Sequence, residues 1–177
     1  MSLAYLSLGS NVGDREAHLR EALSRLASVG RVLALSCFYE TEPLEFTAQP
    51  WFLNCALTLE TQMTPHKLMT SVLQIEKQMG RERVQKKGPR SIDIDILLFD
   101  NRIIESERLK VPHAAMHMRR FVLQPLAEIA PDVLHPLLKK TIGELRDSLP
   151  QGQVVKKVTS IDADQWKRSW STARKDK

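Results

Sequence analysis

Residues 86–100 read KKGPRSIDIDILLFD, and this stretch decides both the fold and the site. Isoleucine and aspartate alternate over 92–96 with the period of two that is typical of a β-strand. On such a strand the isoleucines enter the core, and Asp93 and Asp95 project together from the opposite face. Their carboxylates would lie roughly 6–7 Å apart at Cβ and repel each other unless a cation lies between them.

A magnesium ion would satisfy this carboxylate pair. Mg²⁺ binds one or two carboxylates and completes its shell with water and phosphate oxygens. The stretch before the strand is basic, with Arg81, Arg83, Lys86, Lys87 and Arg90. Carboxylates and cations together indicate phosphoryl transfer, where catalysis is mostly positioning and charge neutralisation. From the residues alone a second interpretation stays open, in which Asp93 lies on a solvated strand face and forms a surface ion pair with Arg90.

The charge of the chain is concentrated at its C-terminal end. The 177 residues carry a formal net charge of +5. Residues 151–177 contain seven Lys/Arg and three Asp/Glu, so the preceding residues are nearly neutral. We therefore expect a local anion site rather than a nucleic-acid surface. We predict one domain over 1–150 and a basic C-terminal extension over 151–177, partly docked or disordered.

Nothing in the sequence reads as a membrane span or a zinc site. The N-terminal apolar run ends at Gly9, and no stretch approaches the roughly 18 apolar residues that a span needs. Cys37 and Cys55 fall in apolar segments, where we expect lone buried thiols rather than a disulfide. A cytoplasmic location follows as the expectation.

Hydrophobic periodicity predicts alternating strands and helices. Asp14 and Thr64 are expected to cap the first two helices. This order, β-α-β-β-α-β and then helices, predicts an antiparallel or mixed sheet with helices packed on one face. The predicted elements are strands over 3–8, 31–39, 51–61 and 92–99 and a loop over 41–50. The predicted helices are one after Asp14 that carries Leu19, Leu23 and Leu26, one from the Thr64 cap to Gly80, and two around 116–129 and 141–148.

Six segments resemble the 6-hydroxymethyl-7,8-dihydropterin pyrophosphokinase family of folate biosynthesis. They occur in the family's order, and the resemblance runs from about residue 3 to 149. The extension after 150 is not covered by it. The segments are LGSN at 8–11, FYETEPL at 38–44, FLNCAL at 52–57, E-x-x-x-G-R-x-R at 76–83, GPRSIDIDILL at 88–98 and VPHAAMHMRRFVLQPLAEIAP at 111–131.

The resemblance implies a fold and a reaction. The fold would be α+β, a ferredoxin-like three-layer sandwich with a mostly antiparallel sheet. The enzyme would transfer diphosphate from MgATP to the hydroxymethyl group of the pterin and release AMP, and we expect it to be a cytoplasmic monomer. Asp93 and Asp95 would hold two Mg²⁺ ions, and Arg81 and Arg90 would be catalytic by neutralising the phosphates. Arginine suits this task because its fork binds phosphate bidentately.

The resemblance also assigns residues to the two substrates. Phe52 and Phe121 would sandwich the flat pterin ring, and the amide of Asn54 would match its pyrimidine edge. Taken singly, the two phenylalanines are more typical of core residues than of a ring-binding site. Further pterin-binding positions are Thr41, Pro43 and Leu44, and the nucleotide-binding positions are Glu76, Arg83, Ile96, Arg108, His113 and Arg119.

Two other functions are open to a chain of this kind. A D-x-D glycosyltransferase would bind a metal–nucleotide-sugar complex, but the chain is short and lacks a Rossmann-like alternation. An RNA-binding β-α-β-β-α-β module would use the basic tail, but no RNP1-like aromatic sequence is present.

Overall fold

The computed structural model describes residues 1–44, 47–80 and 88–158. Its helices and strands, in chain order, are β1 (Ser2–Ser10), α1 (Arg15–Leu26), β2 (Arg31–Leu35), β3 (Tyr39–Thr41), β4 (Phe52–Thr61), α2 (Pro65–Gln78), β5 (Asp93–Phe99), β6 (Ile104–Glu105), β7 (Lys110–Val111), a 3₁₀ turn (Met116–Met118), α3 (Arg120–Ile129), α4 (Ile142–Ser148) and β8 (Val155–Lys157).

The centre of the fold is a six-stranded sheet. Its order is β5-β1-β4-β3-β8, with β2 also paired to β4, and β6 and β7 form a separate two-stranded sheet. Every pairing is antiparallel. The prediction of helices combined with an antiparallel sheet is therefore confirmed.

Local capping determines where the helices begin. The Asp14 side chain accepts a hydrogen bond from the N–H of Ala17 at 2.9 Å, and the Thr64 side chain accepts from Lys67. Both predicted caps are confirmed. Thr141 and Glu144 form a reciprocal capping box at the start of α4. Within the described ranges, no helix combines the length and apolar character needed to cross a membrane.

Two predicted elements are interrupted. The expected strand over 31–39 is divided between β2 and β3, because the Ser36 hydroxyl accepts a hydrogen bond from the N–H of Ala56 at 2.9 Å and interrupts the ladder. The expected helix over 116–129 begins as the 3₁₀ turn, and Arg119 is extended, with φ −116° and ψ 106°. The α-helical part begins only at Arg120.

Helices cover both faces of the sheet, so the expectation of helices on one face is wrong. Leu6 and Leu8 of β1 pack in a core with α1 and α2, whereas Tyr5 packs with α3 and α4. Alternate residues of a strand point to opposite faces, so these are two cores on two sides. Almost every residue of β4 is buried, as expected for a central strand covered twice.

The alternation predicted for β5 is confirmed. Ile92, Ile94 and Ile96 are at most 3% exposed and belong to the core shared with α1 and α2. Asp93 and Asp95 are half-buried on the other face, where they border a cavity together with Phe121 of α3. The α3 face of β5 is therefore left partly open where its carboxylates lie.

The short strand β8 docks the chain's C-terminal described residues onto β3. Tyr39 lies opposite Lys157, and Thr41 lies opposite Val155. The Tyr39 hydroxyl donates to the Glu128 carboxylate on α3 at 2.7 Å, and Lys157 Nζ approaches the same carboxylate at 3.5 Å. Burial and this hydrogen bond raise the pKa of Tyr39 to about 12.

Substituting Tyr39→Phe tests this contact. Loss of the hydrogen bond to Glu128 should lower the free energy of unfolding by about 1 kcal/mol at neutral pH. Because the folded-state pKa is raised from 10.0 to about 12, the stabilisation is complete below pH 10 and is lost as the pH rises toward 12. The free energy of unfolding, measured in urea between pH 8 and 11, should therefore fall less steeply with pH in the variant than in the wild type. Equal slopes would contradict the hydrogen bond between Tyr39 and Glu128.

Candidate active site

A cavity of about 130 Å³ opens on the α3 face of the sheet. It lies where β5, β1, β4 and β3 end near the first turn of α3. Its walls are formed by Ser7, Gly9, Thr41, Glu42, Pro43, Leu44, Gln49, Phe52, Asn54, Arg90, Asp93, Asp95, Arg119 and Phe121. The cavity brings together all six residues predicted to bind pterin, both predicted metal ligands, and the predicted cations Arg90 and Arg119.

Strand register explains why these residues meet. Gly9 of β1 lies opposite Asp93 of β5 on one side and opposite Asn54 of β4 on the other. Two residues earlier on β1, Ser7 lies opposite Asp95. Residues opposite each other in an antiparallel pair share a face, so an acidic end and an amide end are joined across one row of the sheet.

Arg90 is held at the acidic end by contacts with three residues. Its Nη1 donates to Asp93 Oδ2 at 2.8 Å, and its guanidinium carbon lies 5.5 Å from the centre of the Phe52 ring. Asn11 fixes the backbone, accepting from Arg90 N at 2.8 Å and donating its own N–H to Arg90 O at 3.1 Å. The buried Nε of Arg90 has no hydrogen-bond partner among the described residues, which fits a site built for a further anionic acceptor.

The carboxylates fit a magnesium ion that shares its shell with a ligand. In the described ranges, no group of three or more His, Cys, Asp or Glu side chains could hold a metal. Two carboxylates beside an open cavity are the donor set that Mg²⁺ uses when phosphate and water oxygens supply the rest. Such a set favours a metal bound together with a nucleotide over a metal bound in a closed protein cage.

The amide end is rigidly built. Asn54 is 3% exposed, and its Nδ2 donates to the Thr41 hydroxyl at 2.6 Å. This bond orients the amide, since one of its donors is committed to β3. Phe52 lies two residues earlier on the same face of β4, and Phe121 faces the cavity from the first turn of α3. Two aromatic walls with an oriented amide between them suit a flat, hydrogen-bonding heterocycle.

Gly9 is required at the centre of this row. A Cβ at this position would collide with Asn54 Oδ1 and contact the Phe52 ring. Only glycine lets the backbone of β1 pass this close to the oriented amide. The sequence interpretation missed Gly9 as a wall residue, together with Ser7, Glu42 and Gln49. Ser7 and Gly9 could have been found by pairing β1 with the Asp-bearing strand, whereas Glu42 and Gln49 depend on loop conformation.

The turn after β1 holds the loop that borders the cavity. Asn11 Nδ2 donates to Gln49 Oε1 and to Pro50 O, both at 3.0 Å. Arg15 donates to Trp51 O at 2.8 Å and pairs with Glu40 at 2.9 Å. Asn11 thus binds both the Arg90 backbone and the loop, so one side chain fixes two walls.

Four residues predicted to bind the nucleotide do not line this cavity. Glu76 is buried and accepts the N–H of Ile94 at 2.8 Å, and Ile96 lies in the core. Arg108 is exposed between β6 and β7. His113 donates its N–H to Leu97 O at 2.9 Å. Their roles toward ATP stay predictions.

The predictions for Arg81 and Arg83 cannot be placed, because both residues lie outside the described ranges. Arg119 does border the cavity, with its guanidinium carbon 5.7 Å from the centre of the Phe121 ring. Of the two predicted catalytic arginines, Arg90 is therefore the one that the structure places.

Comparison with known proteins identifies the family. The family model for 7,8-dihydro-6-hydroxymethylpterin-pyrophosphokinase (HPPK) matches residues 5–131. The chain belongs to the HPPK family. A Methylorubrum extorquens protein named 2-amino-4-hydroxy-6-hydroxymethyldihydropteridine pyrophosphokinase is 48% identical over 136 residues, covering 76% of this chain and 86% of that protein. The Bacillus subtilis protein of the same name is 46% identical, covering 75% and 80% of the two chains.

Longer proteins also contain an HPPK-like region. The folic acid synthesis protein fol1 of Schizosaccharomyces pombe is 43% identical over 162 residues, which are 90% of this chain but 22% of that protein. The chain thus spans about a fifth of fol1 and most of the shorter HPPK relatives. Wild-type Plasmodium falciparum HPPK-DHPS, crystallised with pterin and p-hydroxybenzoate, has a TM-score of 0.66 at 18% identity, covering 82% of this chain and 42% of that one. This likeness shows the fold.

A double-mutant cycle tests the packing at Gly9. Gly9→Ala should lower the free energy of unfolding by about 2 kcal/mol, because the added methyl displaces the Asn54 amide. In an Asn54→Ala background, Gly9→Ala should lower the free energy of unfolding by at least about 1 kcal/mol less than in the wild type, because the amide that the methyl would displace is absent. Gly152→Ala is the control, because a Cβ there meets open space. Additive effects of Gly9→Ala and Asn54→Ala in urea unfolding would contradict the close approach.

Proposed function

We propose that this HPPK-family protein transfers the diphosphoryl group of ATP to the hydroxymethyl oxygen of 6-hydroxymethyl-7,8-dihydropterin, releasing AMP, in folate biosynthesis. The observation that carries the proposal is the row Asp93–Gly9–Asn54, which joins a carboxylate end to an aromatic and amide end in one cavity. The family match and the names of the HPPK relatives support the same reaction.

The pterin would occupy the amide end. Phe52 and Phe121 would stack on the two faces of its ring, and the Asn54 amide would bind its pyrimidine edge. Thr41 would hold that amide in place, while Pro43 and Leu44 would close the side of the ring pocket. This placement directs the hydroxymethyl group toward the acidic end, where the triphosphate would lie.

The acidic end would bind the triphosphate and its metal. Asp93 and Asp95 would hold Mg²⁺, and we keep two ions as part of the proposal. Bound magnesium supplies neutralisation of the triphosphate charge. Arg90 would contribute a permanent positive charge beside the same oxygens, and its buried Nε would find its acceptor there. Arg119 would bind the nucleotide from the N-cap position of α3, and Arg81 and Arg83 complete the proposed cation set.

The reaction is a substitution at the β-phosphorus of ATP. The pterin hydroxymethyl oxygen bonds to that phosphorus, the bond from phosphorus to the oxygen bridging the α- and β-phosphates breaks, and AMP leaves with that oxygen. The hydroxyl proton passes to solvent. The chain's residues contribute alignment of the two substrates and a fixed electrostatic environment, which are the main terms in phosphoryl transfer.

Several broader features belong to the same proposal. The order β5-β1-β4-β2, with α1 and α2 on one face, supports a ferredoxin-like core. The family match ending at 131 supports a domain within 1–150, followed by an extension over 151–177 whose strand β8 docks on β3. We further propose a monomer that acts in the cytoplasm.

The assay that tests the reaction mixes the full chain, MgATP and 6-hydroxymethyl-7,8-dihydropterin and separates nucleotide products. AMP and the pterin diphosphate should appear in equal amounts. ADP as the nucleotide product would mean transfer of a single phosphoryl group, and no pterin-dependent product would refute the function.

The metal assignment is tested by Asp95→Asn, which keeps the side-chain shape and removes the charge. Turnover should fall by about 1000-fold or more, because the triphosphate loses its metal anchor. Asp132→Asn changes an exposed aspartate away from the cavity and should retain full activity. Thermal unfolding of both variants reports whether the fold is kept, and unchanged turnover in Asp95→Asn would refute the metal role.

A further inference from the structure

The described residues at the C-terminal end reach back to the cavity from outside the family-matched region. We define residues 153–158 as the docking segment. We infer that Gln153 in this segment is a positioning residue for the pterin site, joining the two walls that enclose the ring. The inference rests on the proposed function, since it assigns Gln153 to the pterin end of that site.

Gln153 first supplies a cap that α3 lacks. The N-cap residue of α3, Arg119, makes no side-chain capping hydrogen bond within the described part of the chain. Helix N-termini leave their first N–H groups without intrahelical acceptors. The N–H of Phe121 donates to Gln153 Oε1 at 3.1 Å. The residue proposed to stack on the pterin is thus fixed through its own backbone by a side chain from the docking segment.

The other end of the same amide binds the opposite wall. Gln153 Nε2 donates to the backbone carbonyl of Glu42 at 3.1 Å. Glu42 lies between Thr41 and Pro43, and it also borders the cavity. Its carboxylate accepts the N–H of Val154 at 2.7 Å, and its own N–H donates to Val154 O at 3.3 Å. Three hydrogen bonds therefore fix the wall after β3 to two consecutive residues of the segment.

The segment itself is anchored, so Gln153 is held in place. β8 pairs with β3, and the N–H of Val158 donates to Phe38 O at 2.8 Å. Lys156 Nζ lies 5.6 Å from the centre of the Trp51 ring, next to Phe52. The docking segment thus contacts Trp51, next to Phe52, through Lys156, and it contacts Phe121 through Gln153.

A planar amide suits this bridge because it carries one acceptor and one donor at fixed separation. With Oε1 on Phe121 and Nε2 on Glu42, the amide sets the spacing between the first turn of α3 and the loop after β3. The ring would stack on Phe121 and be closed at its side by the loop after β3. Its placement is therefore sensitive to that spacing, because small misplacements of a binding group weaken alignment. We therefore expect Gln153 to affect pterin binding more than ATP binding.

The test uses the full chain with Gln153→Met, which keeps the length of the side chain and removes both hydrogen bonds. Gln151→Met, at an exposed position two residues earlier, is the matched control. KM for 6-hydroxymethyl-7,8-dihydropterin should rise roughly 3- to 10-fold in Gln153→Met, as expected for lost hydrogen bonds at a binding wall. KM for ATP should stay within about twofold of the wild type.

A second readout does not depend on turnover. Hydrogen exchange at the Phe121 amide should be faster in Gln153→Met than in Gln151→Met, since its acceptor is gone. Gln153→Glu keeps an acceptor for Phe121 but replaces the donor that faces the Glu42 carbonyl. It should retain slow exchange at Phe121 while KM for the pterin still rises.

The outcomes separate this inference from the proposed function. If the wild type forms no AMP, the proposed function fails, whatever the exchange data show. If the wild type is active but KM for the pterin is equal in Gln153→Met and Gln151→Met, the positioning role is overturned. A lower melting temperature with reduced kcat and unchanged KM for the pterin would also overturn it, because that pattern indicates a structural role alone.

Discussion

The alternation of side chains on β5 is the constraint on which the site depends. Three isoleucines commit one face of this strand to the core between the sheet and the helices α1 and α2. Shifting the strand by one residue would place two aspartates in that core, and burying unpaired carboxylates is far more costly than exposing isoleucine. The register of β5 against β1 is therefore strongly specified, and with it the location of both carboxylates.

Glu76 adds a second fixed point to this strand. Its buried carboxylate accepts the N–H of Ile94, the residue between the two aspartates. Because both partners are buried, loss of this hydrogen bond would leave a backbone donor unsatisfied. Strand pairing then fixes the neighbouring residues relative to β5. Gly9 of β1 pairs with Asp93 and with Asn54 of β4, and Asn54 donates a hydrogen bond to Thr41 of β3. The acidic and amide ends of the cavity are thus parts of one rigid row.

The sequence predicted what depends on local physics. The period of two over 92–96, the cap at Asp14, and the cap at Thr64 before Pro65 involve near neighbours only, and each is confirmed. The break between β2 and β3 could not be predicted in this way, because it depends on Ser36 meeting Ala56 across the sheet.

Other parts of the site required tertiary information. Gly9 looks like an ordinary turn glycine until β1 is placed against Asn54. Gln153 lies in a polar stretch with no periodic signal, and its two partners are 32 and 111 residues away in sequence. The resemblance to the HPPK family predicted pterin-binding residues in three separate segments of the sequence, and all of these residues line the cavity. It also assigned Ile96 to the nucleotide, although that side chain is in the core.

The central claim is that the carboxylate end and the amide end of one row hold the two substrates next to each other. Nuclear magnetic relaxation can measure this in the complex with Mn²⁺, a non-transferable ATP analogue and 6-hydroxymethylpterin. Mn²⁺ should relax the hydroxymethyl protons more strongly than the proton on the pterin ring, and Asp95→Asn should abolish the effect. Equal relaxation of both sets of protons, or a full effect in the variant, would contradict it.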